Sequence, residues 1–98
     1  MNKQQLMSKI EELRQAAESL EGATKAFKLN EISILKIKIE GMAIQDIAAK
    51  MNSITLPELA DMDVAIESAA NAVKTQQQRV QAFDKAYTFI KTALGLVI

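Results

Sequence analysis

The stretch TLPELADMDVAIESAANAVKTQQQRVQAFDKAYTFIKTAL, residues 55–94, decides how this chain is read. Within it Met62, Ile66, Ala69, Val73, Gln76, Val80, Phe83, Tyr87, Ile90 and Leu94 recur at alternating steps of four and three. That is the period of a helix with one apolar seam. Thr55 and Glu58 form a capping box at its start, with Pro57 in the first turn. Glu58, Asp61, Asp63 and Glu67 gather early and Lys74, Arg79, Lys85 and Lys91 come later, an order that complements the helix dipole. Gly95 suits a position just past a helix end, with Leu96 folding back on the last turn.

The spacing therefore predicts one long helix over 55–94. Unbroken, about 39 residues would span on the order of 58 Å. A compact chain of this length has a radius of gyration of only about 13 Å. Either the helix projects and finds a partner along its seam, or it breaks near Thr75-Gln76-Gln77-Gln78. Gln76 then reads in two ways, as a polar seam residue that fixes register and oligomeric state or as part of a solvated patch.

Working back from this stretch, Leu6, Ile10, Leu13, Ala17 and Leu20 step by four, three, four and three, which predicts an amphipathic helix over about 3–22. Gly22 weakens or ends it, although Glu21 and Lys25 could support a continuation as an i,i+4 pair. Between the two lies EISILKIKIEG, residues 31–41. As a strand, Leu35, Ile37 and Ile39 alternate with lysines; as a helix, Ile32, Leu35, Ile39 and Met42 form one stripe and Asn30 is a candidate N-cap. The helix is favoured because no other stretch offers a strand partner. Its isoleucine density suggests burial on more than one side. A short helix over about 43–51 follows, burying Ile44, Ile47, Ala48 and Met51, so that 30–52 forms a central helical segment.

Composition narrows the function classes. The 98 residues include 12 basic and 12 acidic side chains, so no basic excess is available to neutralise phosphates. With no Cys and no His, thiolate chemistry and the commonest general base and metal ligand are missing. We read no catalytic residue, no cofactor and no metal site, and we expect a non-enzymatic protein. The carboxylates Glu11, Glu12, Glu18 and Glu21 read as a solvated helix face. No run approaches the roughly 20 apolar residues of a membrane span, and the polar, amphipathic N-terminus points to a cytoplasmic protein. The apolar end Leu96-Val97-Ile98 is expected to dock within the protein or its oligomer.

Residues 32–59 resemble helix-turn-helix proteins, above all the tail domains of response regulators. Residues 34–41, ILKIKIEG, look like their first helix and its glycine. Ile47, Ala48 and Met51 match the family's branched, small and large apolar positions, and Asn52 stands where glycine is usual. One extra residue before Ile54 departs from the pattern. The resemblance implies a DNA-binding regulator built on residues 32–62. The would-be reading helix nevertheless exposes Glu58, Asp61 and Asp63, which face phosphates unfavourably, and places no Arg, Asn or Gln to pair with base edges. Nucleic acid is thus the alternative partner rather than the expected one. In size and helicity the chain is also similar to small secreted helical hairpins, but without Trp it has no W-x-G turn.

The expectation is an all-α protein, a small helical bundle in one domain over 1–98, with the long C-terminal helix antiparallel to the N-terminal one. Its expected work is protein–protein interaction or assembly through amphipathic helices, as a homodimer or with another helical protein. The expected interface is the seam Leu6, Ile10, Leu13, Leu20, Ile66, Val73, Gln76, Val80, Phe83, Tyr87, Ile90 and Leu94.

Overall fold

Side-chain caps, more than apolar period, set where three of the helices of this chain begin. In the computed structural model, which describes residues 1–98, five helices follow one another with no strand: α1 (Lys3–Glu18), α2 (Gly22–Glu40), α3 (Ile44–Asn52), α4 (Leu56–Ala70) and α5 (Gln76–Ala93). Three of them open on reciprocal capping boxes, Asn2 with Gln5, Thr55 with Glu58, and Thr75 with Gln78. In each the N-cap side chain accepts from a backbone N–H that has no partner inside the helix. The Thr55 hydroxyl and backbone N–H both bond the Glu58 carboxylate and hold its pKa below the usual glutamate value.

The third box overturns the reading of 55–94 as one unbroken helix and bears out the alternative, a break near Thr75-Gln76-Gln77-Gln78. α4 stops at Ala70, and residues 71–75 form a corner. There the Asn71 side chain accepts from the Val73 N–H at 3.0 Å, closing a local turn, and Thr75 then starts α5. Val73, expected in the seam, sits exposed in this corner. The break lets the chain fold to a radius of gyration of 12.9 Å.

Residues 32–39 are helical, which settles the strand alternative. α2 starts eight residues earlier than the candidate cap Asn30, which lies in its middle, exposed. α1 ends at Glu18, short of Gly22, and Gly22 opens α2 at φ +67°, a left-handed conformation that suits glycine. At the far end Gly95 and Leu96 close α5 as expected. The Gly95 N–H bonds the Thr92 carbonyl, the Leu96 N–H bonds the Lys91 carbonyl, and Leu96 packs on the core.

The helices form a small all-α bundle. α4 and α5 make the most extensive pair, and α1 packs mainly along α2 and α4. Lys9 on α1 reaches Asp63 on α4 at 2.9 Å, and the Lys3 ammonium donates to the Glu40 and Met42 carbonyls at 3.0 and 2.9 Å, closing the end of α2. The start of α5 meets the end of α1 through Arg79, so the last helix runs antiparallel to the first. The core draws on all five helices and includes Leu6, Ile10, Leu35, Met51, Ile66 and Phe83.

Arg79 is the one charged residue in that core, 8% exposed. Its Nε donates to the Ala69 carbonyl at 2.8 Å, and its two terminal nitrogens reach the Ser19 and Ala16 carbonyls at 3.4 Å. The Ser19 hydroxyl is a further, short contact. One guanidinium thus satisfies carbonyls at the C-terminal ends of both α1 and α4, where helix dipoles favour a cation. Arg79→Met should cost about 2–3 kcal/mol of stability in urea unfolding, because the buried Ala69 carbonyl loses its donor and the α1 end loses its cation. Arg79→Lys should recover only part of that, since a single ammonium cannot span both helix ends.

Candidate protein interaction face

The expected interface residues turn mostly inward. Leu6, Ile10, Leu13, Leu20, Ile66, Phe83, Ile90 and Leu94 are buried within the chain itself. Val80 and Tyr87 are half-buried, Tyr87 stacking on Phe83 with ring centroids 6.2 Å apart. In this fold the α1 and α4–α5 seams pack their apolar surface against each other. Gln76 is exposed, and its amide clamps the α1–α2 turn: its oxygen accepts from the Glu21 N–H at 2.7 Å and its nitrogen donates to the Glu21 carbonyl at 3.3 Å. Its role is intramolecular registration of α5 against that turn.

The uncovered apolar surface lies elsewhere, on α2. Lys28, Ile32, Leu35 and Ile39 occupy the inward face at steps of four, three and four. Phe27, Ile34 and Ile37 share a second face, and at 3.6 residues per turn it points roughly 150° away from the first. Phe27 is 67% exposed, Ile37 64% and Ile34 41%. The expectation that α2 is buried on more than one side therefore fails within the single chain. Ile44, expected in the core, is 65% exposed at the start of α3 and adds to the uncovered apolar surface. Singly exposed apolar residues are ordinary, whereas a helical stripe of large ones marks a contact surface.

The inner face of α2 is well anchored. The Lys28 ammonium lies 2.8 Å from Asp84 on α5 and 3.0 Å from Glu31, and 5.8 Å from the centre of the Phe83 ring. α2 is thereby fixed with its second stripe facing out, rather than free to roll inward. Burial pulls the pKa of Lys28 down, but the hydrogen bonds to Asp84 and Glu31 outweigh it, and the net shift is upward.

No other region gathers chemistry. No three carboxylates, histidines or cysteines come together. The widest groove, about 790 Å³, lies between the α3–α4 turn and α5, is lined by Ser53, Glu58, Lys85 and Thr88 among others, and is open to solvent. α4, which the helix-turn-helix likeness casts as the reading helix, gives Met62, Ala65, Ile66 and Ala69 to the core and shows Glu58, Asp61 and Glu67 to solvent. No helix is long and apolar enough to cross a membrane. The chain matches no protein-family model, no curated protein and no solved structure.

The anchoring of α2 has a pH signature. A lysine whose pKa is raised by folding adds stability below the unfolded value, and that addition fades as pH rises through the folded value. Lys28→Met should lower stability by about 1 kcal/mol at neutral pH. The gap to the native chain should close as the pH rises past 10.5, the ordinary lysine value, in denaturant melts.

Proposed function

We propose that this protein is a non-enzymatic helical interaction module that self-associates through the outer face of α2. The observation that carries the reading is the second apolar stripe, Phe27, Ile34 and Ile37, held outward by a helix whose opposite face is fixed in the core. Covering each of these side chains recovers about 1–2 kcal/mol. Two copies of three residues give about 6–12 kcal/mol gross, against an association cost of about 4–15 kcal/mol. The balance belongs to a weak or moderate, concentration-dependent complex. A chain of 98 residues also buries a smaller share of its surface than a larger domain, which gives association a further stabilising role.

This differs in place from the interface expected from sequence, while keeping the same function class. DNA binding remains the alternative reading, and its support is confined to the apolar spacing of residues 32–59.

Sedimentation equilibrium across micromolar to millimolar concentration should show a dimer that dissociates on dilution. Ile37→Asp should shift the mass to monomer while leaving the monomer's unfolding free energy within about 0.5 kcal/mol, because the residue is outside the core. Phe83→Asp should instead unfold the chain. A native protein that stays monomeric to millimolar concentration would remove the self-association reading.

A further inference from the structure

Resting on the α2 reading above, we infer that two copies pair antiparallel through α2, in the register that sets Ile34 against the partner's Ile37 and Glu31 against the partner's Lys38. Phe27, Asn30, Ile34, Ile37 and Gly41 step by three, four, three and four, a heptad seam on the exposed side of the helix. Glu31 and Lys38 flank it on one edge, and Ala26, Ser33 and Glu40 flank it on the other. Charge complementarity across these edges separates the possible pairings.

A parallel pair brings opposite edges together, Ala26 with Glu31 and Ser33 with Lys38, so no ion pair forms. It also stacks Asn30 on Asn30. An antiparallel pair brings like edges together and has two registers to consider. In one, Phe27 lies level with the partner's Ile37, Ile34 meets the partner's Asn30, and Glu31 faces Glu31. Like charges in contact make that register unfavourable. Shifted by one heptad, Ile34 and Ile37 of both copies form a central cluster of four isoleucines. Glu31 then meets Lys38 twice, once on each side of the two-fold axis, and Asn30 lies opposite Gly41, where no side chain crowds it. Phe27 lies beyond this cluster, toward the partner's α2–α3 corner.

The groups needed are free to act. Lys38 is exposed and makes no intramolecular ion pair. Glu31 meets Lys28 through its Oε1 oxygen, which leaves Oε2 for the partner. The interface is self-complementary, as a two-fold pair requires, and it uses the stripe whole.

Because the chain has no Cys, a single Lys25→Cys variant carries one spin label at a position off the seam. Pulsed dipolar measurement on the labelled dimer reads the through-space label distance, in which the axial offset adds to a sideways separation common to all three pairings. The inferred register separates the two labels by about 32 Å along the helix axis, the other antiparallel register by about 21 Å, and a parallel pair by none. Lys38→Glu should weaken dimerisation on the order of tenfold by setting Glu against Glu31, and adding Glu31→Lys should restore it. A dimer with the shorter or absent axial separation, or one indifferent to Lys38→Glu, would overturn the inferred pairing and leave self-association standing. A monomeric mass with no dipolar coupling would overturn both. Circular dichroism melts of each variant separate loss of pairing from loss of fold, and the label distance does not depend on the charge variants folding.

Discussion

The buried guanidinium of Arg79 is the contact on which the rest of this fold depends. A charge away from water is costly unless it is fully hydrogen-bonded, and no carboxylate lies among its bonded partners. Its compensation is four oxygen acceptors at two helix ends, Ala69 on α4 and Ala16 and Ser19 on α1. The Ser19 N–H and hydroxyl also serve the Ala16 carbonyl, whereas the Ala69 carbonyl relies on the guanidinium, so the cation and the helix ends offset one another's cost. The arrangement also dictates topology. Arg79 sits in the first turn of α5 and can bond the end of α4 only if the chain reverses between them. The Asn71 turn and the Thr75 cap make that reversal, and Gln76, three residues before Arg79, ties the same corner to Glu21. Three successive local features thus bring the ends of α1 and α4 and the start of α5 to one point.

That point was the hardest part of the chain to read in advance. All-α character, the capped start at Thr55, the Gly95 stop and most of the core positions follow from period and caps. The break stood only as an alternative, raised by the length of an unbroken helix, because the apolar period keeps its phase across it. Steps of four and three continue through Val73 and Gln76, although one is in a corner and the other is at a helix start. Periodicity records which residues would face one way if the helix continued, and carries no information on whether it does. The signal that could have decided was local: Thr75-x-x-Gln78 repeats the cap logic of Thr55-x-x-Glu58, preceded by Asn71, a turn former. Arg79 gave no such signal. A buried cation is recognised by the acceptors around it, and besides Ala69 these come from Ser19 and Ala16, 60 and 63 positions away in the chain.

The interaction face was half legible for a different reason. Isoleucine density in α2 suggested burial on more than one side, and the chain buries only one, because sequence alone does not say which sides one chain can cover. α2 joins the bundle mainly through α1 and the Lys28–Asp84 link, so a single copy has neighbours for only one face. The seams that looked like interfaces, on α1 and on α4–α5, were instead consumed by each other once the corner at 71–75 folded them together. Shortening the last helix removed the reason to seek a partner there and left α2 as the face without one.

The proposed pairing would couple stability and association through α2. Its inner residues Ile32, Leu35 and Ile39 help build the core, and its outer residues Phe27, Ile34 and Ile37 face solvent. A partner that binds only the folded α2 stabilises the whole chain by mass action, with no change in the core itself. Asn30 moderates that coupling. Set in the middle of the outer stripe, it interrupts a run that would otherwise be apolar from Phe27 to Ile37, which limits indiscriminate sticking. A polar residue in a seam costs affinity in every pairing but costs least where its opposite position is small. The same side chain that weakens the stripe as a hydrophobic surface therefore sharpens it as a specific one.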